Sequence, residues 1–328
     1  MKMKYSILLS IVLACLLAQE VKAQNTMQTS QYMVNYMIIN PAVVGLNEHS
    51  EFRLSYRNQW SGIEGAPTTF FGSANTSLGH QGSASRRRRG GRRRGYRGRS
   101  GRPHHGLGAY IMNDQAGAVS QIRMYANYAY HLRISSQVRM SAGASAGLIS
   151  NQIDKDKIYV VDPNDPLLAN AQNSMHPDIQ IGFWFHSSNW FAGLSATEFN
   201  LSNGFGTELG ALQPNYYLTG GYRFELSREL DFVPSVLMKT VNFSQYQLDM
   251  NLKLRYRSVL WGGLSLRGTQ DLTAIFGLDL MNGMMMAYSY DYQLTEVNAV
   301  SNGSHEITIG FNMKGKRQRR GLDRRAFW

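Results

Sequence analysis

The feature that most constrains this chain is a period of two in its apolar residues that continues almost to its end. From Tyr246 to Tyr256 the even positions are Tyr246, Leu248, Met250, Leu252, Leu254 and Tyr256, and between them stand Gln247, Asp249, Asn251, Lys253 and Arg255. Near the C-terminus Ile307, Ile309, Phe311 and Met313 alternate with Thr308, Gly310 and Asn312. A β-strand sends successive side chains to opposite faces, so each segment has one oily and one wet face. A soluble sandwich also alternates in this way. An exported chain whose strands carry this many aromatics on the oily face points instead to an all-β fold, a transmembrane antiparallel barrel.

Export is read from the first residues. Lys2 and Lys4 precede an apolar run from Ile7 to Leu17, and Val21-Lys22-Ala23 forms a small-x-small cleavage site, which places the mature start at Gln24. Val12-Leu13-Ala14-Cys15 is a loose lipobox and admits a lipoprotein reading, but Leu16 and Leu17 extend the apolar run past it. Cys15 is the only cysteine, so the mature chain holds no disulfide, thiol nucleophile or cysteine metal site. No later stretch approaches the roughly 18 apolar residues of a membrane-spanning helix.

Strand candidates follow at about 51–58, 67–78, 106–113, 118–131, 137–150, 178–186, 189–197, 214–226, 231–241, 245–256, 258–268, 271–281, 284–294 and 305–314, which makes fourteen. Every second connection is short: Arg133–Ser136, Ser187-Ser188, Ser227–Leu230, Arg257 and Asn282-Gly283. The opposite set includes the long stretches 151–177, 198–213 and 295–304. Bacterial barrels have short periplasmic turns and long outer loops, so both termini are expected in the periplasm of a Gram-negative cell. The exception is 79–105, a long periplasmic turn, and an insertion in a surface turn costs little. Residues 24–50 do not alternate and carry apolar Met33, Tyr36, Ile38 and Ile39, which must be covered from water. A fourteen-stranded barrel leaves interior space, so this segment is expected in or against the lumen. The chain therefore divides into a signal peptide (1–23), an N-terminal plug segment (24–50), a barrel (51–314) with an Arg/Gly-rich insert (85–105), and a basic tail (315–328).

The formal net charge of +12 is carried by the appendages. Residues 86–102 hold ten arginines and no acid, and 314–325 hold seven Lys or Arg against Asp323, which leaves the strands and loops mildly acidic. The Arg/Gly run has the composition of an RNA-binding segment that buries no core. After export its chemistry suits an anionic envelope polymer or protein rather than nucleic acid, and a solvated insert without a required role stands beside that reading. Lumen-side charges, Arg123, Arg139, Arg223, Asp249, Lys253, Arg255, Asp279 and Asp291, have mixed signs and are expected to pair. A substrate path lined by them is the competing reading.

No catalytic, metal or cofactor site is assigned. His104 and His105 adjoin the arginines, whose charge disfavours a metal, and the other histidines lack ligand spacing. Gly143-Ala144-Ser145-Ala146-Gly147 matches a nucleophile-elbow string, but it continues an alternating strand and enters no helix.

Gln31-Tyr32-Met33-Val34-Asn35-Tyr36-Met37-Ile38-Ile39-Asn40-Pro41-Ala42, Leu54–Trp60 and Gly62–Pro67 resemble the PorP/SprF family of type IX secretion proteins, as do Pro234–Lys239, Gln247–Asn251, Ala287–Tyr292 and Gly303–Ile307. The resemblance covers residues 28–314, and its motif positions include Gln31, Tyr32, Asn40, Pro41, Ala42, Asp249, His305 and Glu306. The arginine run and the tail depart from the family pattern. The resemblance implies a non-enzymatic outer-membrane barrel. It would assist export or surface anchoring of large proteins, gliding adhesins among them, through a C-terminal sorting domain and together with the secretion machinery. The alternative is a diffusion channel for a small solute. Arg57, Gln59, Trp60, Glu64 and Pro67 fall at the first outer loop and are the candidate partner-binding residues. Trp and Arg are common interface anchors. Trp60 also suits the aromatic girdle at the membrane edge.

Overall fold

The computed structural model describes residues 29–47, 49–79, 103–157, 173–199, 213–280 and 282–313. The signal peptide, most of the arginine-rich insert and the basic tail lie outside them. The strands are β1 (Ser50–Asn58), β2 (Thr68–Leu78), β3 (His104–Ala116), β4 (Val119–Arg133), β5 (Arg139–Ile153), β6 (Ser174–His186), β7 (Trp190–Thr197) and β8 (Asn215–Tyr222). They continue with β9 (Phe224–Glu225), β10 (Leu230–Val241), β11 (Gln245–Tyr256), β12 (Leu260–Arg267), β13 (Asp271–Asp279), β14 (Met284–Gln293) and β15 (Ser304–Met313). Apart from β8 and β9, which both pair with β10, each pairs antiparallel with its sequence neighbours, and β15 pairs with β1 in the register Ser50↔Met313, which closes the barrel.

β8 and β9 are two pieces of one strand, so the wall has fourteen staves. The ladder to β10 stops at Gly221↔Ser235 and resumes at Phe224↔Phe232. Pro234 lies opposite the break, and a proline supplies no N–H to a ladder.

Burial is inverted relative to a soluble protein. Arg53 and Arg57 of β1 are buried while Phe52, Leu54 and Tyr56 are exposed; Asp249, Lys253 and Arg255 of β11 are buried while Leu252, Leu254 and Tyr256 are exposed. The polar set faces the lumen and the apolar set faces outward, as a barrel in lipid requires. The connections sort into two rims. One has the turns after β4, β6, β9, β11 and β13 together with the insert-bearing connection after β2; the other has the long connections after β5, β7 and β14.

The lumen is filled from residue 29 onward. Three short 3-10 turns, Tyr32–Val34, Tyr36–Ile38 and Pro41–Val43, run down it. Tyr32, Met33, Tyr36, Ile39 and Ala42 pack with wall residues Trp184, Phe191, Leu237, Trp261 and Ile275 in one apolar cluster. Met37 and Val44 join Phe71, Tyr110, Tyr125 and Ile149 in a second. Burying each large apolar side chain is worth about 1.5–3 kcal/mol, so the plug is held mainly by its own oily residues. Thr29 lies at the long-loop rim and Met313 at the short-turn rim beside Ser50, so the described chain starts and ends at opposite ends of the barrel.

Candidate functional site

The plug lies in a seat built by the absence of side chains. Gly106, Ala129, Gly143, Gly182 and Ser195 stand in one register row across β3, β4, β5, β6 and β7. A Cβ on Gly143 would come within 2.5 Å of the Ala42 nitrogen and the Pro41 carbonyl carbon. One on Gly182 would strike Asn40 Oδ1, and one on Gly106 the Val44 carbonyl. Glycine inside a strand commonly marks such a close approach of another backbone. Asn40 uses its whole side chain here. Its Oδ1 accepts from Ala42 N at 2.9 Å and caps the third turn, and its Nδ2 donates to the carbonyls of Phe183 (3.1 Å) and Leu194 (3.3 Å) on two neighbouring strands. Pro41 follows at the first position of that turn, where its missing N–H costs nothing. Ser195 Oγ donates to the Ile39 carbonyl at 2.5 Å.

At the long-loop rim the start of the plug is latched by charge. Arg57 Nη1 lies 2.6 Å from Asp291 Oδ2 and 3.5 Å from Glu306 Oε2. Ser30 Oγ donates to Asp291 Oδ2 at 2.5 Å and accepts from Arg57 and, at 3.1 Å, from Arg267 Nη2. One donor and two acceptors are all a hydroxyl has, so Ser30 is saturated. Glu306 receives the Thr29 hydroxyl and the Ser30 amide, each at 2.8 Å. Gln31 Nε2 donates to the Glu306 carbonyl at 2.8 Å and to Ser289 Oγ at 3.2 Å. At the opposite rim His131 Nε2 reaches the Val44 carbonyl at 2.8 Å and His104 Nε2 the Gly45 carbonyl at 3.1 Å, the two imidazoles stacked 4.3 Å apart.

A cavity of about 60 Å³ remains above the plug, between Tyr32, Ile38 and Ile39 and a wall that includes Arg123, Glu198, Lys239, Asp249 and Arg267. Arg123 Nη1 and Glu198 Oε1 are 2.5 Å apart. Burial pushes the Tyr32 and Tyr36 phenols up, so both act as neutral hydrogen-bonding groups, and Tyr32 accepts from Asn251 Nδ2 at 2.7 Å. The buried acids Asp178, Glu198, Asp249, Asp271, Asp291 and Glu306 all belong to the long-loop half. In the other half Arg53, Arg223, Lys253 and Arg255 are buried, with Lys253 4.1 Å above the Trp261 ring and Arg223 donating to the Ser188 carbonyl at 2.7 Å. Among the described residues the buried acids are thus confined to the long-loop half, whereas buried cations occupy both halves, Arg57, Arg123, Lys239 and Arg267 standing among the acids.

The sequence candidates separate in space. Gln31, Tyr32, Asn40, Pro41 and Ala42 form the plug, and Asp249 and Glu306 face it from the wall. His305 points outward instead, against Tyr288 and Tyr290. Of the first-loop residues, Arg57 is turned inward and 3% exposed, inside the latch. Gln59, Trp60 and Pro67 are half-buried, and Glu64 is exposed. Their loop is tied to its neighbours: Ser61 exchanges backbone bonds with Gly303 and Asn302, and Gly117 N donates to the Gly65 carbonyl. Sequence reading missed the seat residues Gly106, Gly143 and Gly182. Their signal was present as lumen-parity glycines inside strands, but only the register aligns them.

The match to a family model for type IX secretion system membrane protein PorP/SprF spans residues 21–311. No curated protein matches the sequence. Among solved structures, the toluene transporter TbuX of Ralstonia pickettii is similar with a TM-score of 0.50 and 10% identity, over 85% of this chain and 92% of that one. A TodX monoaromatic hydrocarbon channel mutant follows with a TM-score of 0.49 and 9% identity, over 85% and 94%. At such identity the likeness to TbuX shows the outer-membrane barrel fold alone. With residues 21–311 matched, the chain belongs to the PorP/SprF family of type IX secretion system membrane proteins.

Proposed function

We propose that this protein is a plugged outer-membrane barrel that serves type IX secretion by binding protein rather than by conducting solute. It assists export or surface anchoring of large secreted proteins, such as adhesins of gliding motility, through their C-terminal sorting domain and in company with the secretion machinery. It catalyses no reaction. The observation that carries this reading is the filled lumen: residues 29–47 are seated on a side-chain-free strip and latched at both rims. A plug fixed at both rims narrows the path open to a diffusing solute. The binding surface is the ordered first loop with Gln59, Trp60, Glu64 and Pro67, braced by the loop through Asn302. Arg57 supports that surface from below, through the latch. The short-turn rim, with the end of β15 and the Arg/Gly-rich insert, faces the periplasm, where the insert meets an anionic envelope polymer or protein. With the short-turn rim in the periplasm, the described chain begins at Thr29 on the outer rim and ends at Met313 on the periplasmic rim, so only its C-terminal end meets the expectation of a periplasmic terminus.

The second reading, a channel for a small solute, draws on the cavity above the plug and on the transport role named for TbuX. Deleting the gene separates the two. Loss of one or a few surface proteins, with other envelope proteins unchanged, supports the secretion role. An unchanged surface proteome with reduced uptake of a small apolar solute supports the channel.

A further inference from the structure

Two matching side-chain trios stand on the outward face of the barrel, one at each rim. On β3 and β4, His105 lies opposite Tyr130 and diagonal to Tyr128. Its Nδ1 is 2.7 Å from the Tyr128 hydroxyl, and its ring is 5.1 Å from that of Tyr130. On β15 and β14, His305 lies opposite Tyr290 and diagonal to Tyr288. Its Nδ1 is 2.7 Å from the Tyr288 hydroxyl, and its ring is 5.2 Å from that of Tyr290. Both histidines are second in their strands, but β3 begins at the short-turn rim and β15 at the long-loop rim. Carried through the strand register to β1, the two histidines are ten residues apart. At about 3.3 Å per residue and the usual strand tilt, that separation is on the order of the ~25 Å apolar band of a barrel.

A phenol that donates to Nδ1 leaves the imidazole proton on Nε2. Neither Nε2 has a protein partner among the described residues. With the phenol as the donor, each trio presents an imidazole Nε2–H beside a second tyrosine at its rim of the barrel. We propose that His105 and His305 each bind the phosphate of a membrane lipid headgroup, one in each leaflet, and so set the height of the barrel in the bilayer. This follows from the barrel fold and is independent of the secretion role.

The test uses the mature protein with ¹⁵N-histidine in phosphatidylglycerol nanodiscs, read by ³¹P dephasing of the imidazole nitrogens in solid-state NMR. Two Nε2 signals should be attenuated. His105→Phe and His305→Phe should each remove one of them while heat-modifiable migration stays that of the folded barrel. Tyr128→Phe and Tyr288→Phe retain the histidine, and each should weaken the attenuation at its own site. Nanodiscs of an uncharged, phosphorus-free glycolipid with added inorganic phosphate should show no attenuation. No dephasing in phosphatidylglycerol overturns the proposal, and equal dephasing with inorganic phosphate assigns a free-phosphate site and overturns it as well.

Discussion

Gly182 has no side chain at the point where Asn40 must lie, and that vacancy decides whether the plug can seat. A methyl group there collides with Asn40 Oδ1, which is itself fixed by the Ala42 amide and two wall contacts. Overpacking of this kind costs about 1–3 kcal/mol, and here the cost falls on the plug. Gly182→Ala should give a barrel with normal heat-modifiable migration whose Tyr32 and Tyr36 bonds have become open to chymotrypsin, whereas both bonds resist in the parent. Gly220→Ala is the control, because its Cβ would meet only the Phe191 carbonyl, at 3.6 Å. Persistent protection in Gly182→Ala would mean that the plug is not held by the seat. Parity also explains what was legible at this scale. Phe52, Leu54 and Tyr56 face lipid, so alternation alone sends Arg57 into the lumen with Arg53. Arg57 falls inside the strand candidate 51–58, and reading it with the outer loop set that parity aside. The partners Asp291 and Glu306 lie more than two hundred residues away, and only closure of β15 on β1 brings them near.

Strands announced themselves because two-residue alternation is a local property, and the fourteen candidates match the fourteen staves with shifts of a few residues at their ends. The break at Arg223 escaped notice because it is caused by Pro234 on the neighbouring strand. The plug was legible only as a segment needing cover. Its 3-10 turns are three residues each and have no periodicity of their own, and such short pieces persist through tertiary contacts. Asn40 is the residue that converts those contacts into a local cap. Asn40→Ala removes the cap and leaves the Phe183 and Leu194 carbonyls without that donor, a loss of about 1–3 kcal/mol. In hydrogen exchange by mass spectrometry, peptides covering 36–44 should then exchange faster by about ten- to a hundredfold, while β11 to β15 keep their protection. Equal acceleration in those strands would show that the plug and the wall unfold as one unit.

For the whole molecule the open question of direction is set by its two unlike rims. The short-turn rim carries tight connections such as Ile134–Val138, closed by the Ile134 and Ser135 amides donating to the Val138 carbonyl. The other carries the long connections after β5 and β7. Barrels of this kind put short turns in the periplasm and long loops outside, and on that rule we expect the latch and the first loop on the cell surface and the stacked histidines below. Asp156 is exposed at the long-loop rim and Ser136 at the short-turn rim. Cys15 lies in the signal peptide as read from the sequence, so Asp156→Cys and Ser136→Cys each create a single thiol in the mature chain. On intact cells a membrane-impermeant maleimide should label Asp156→Cys fully and leave Ser136→Cys unlabelled. Permeabilising the outer membrane should make the second site react. The opposite pattern would invert the barrel, put Trp60 and Glu64 in the periplasm, and turn the proposed cargo surface towards the secretion machinery instead.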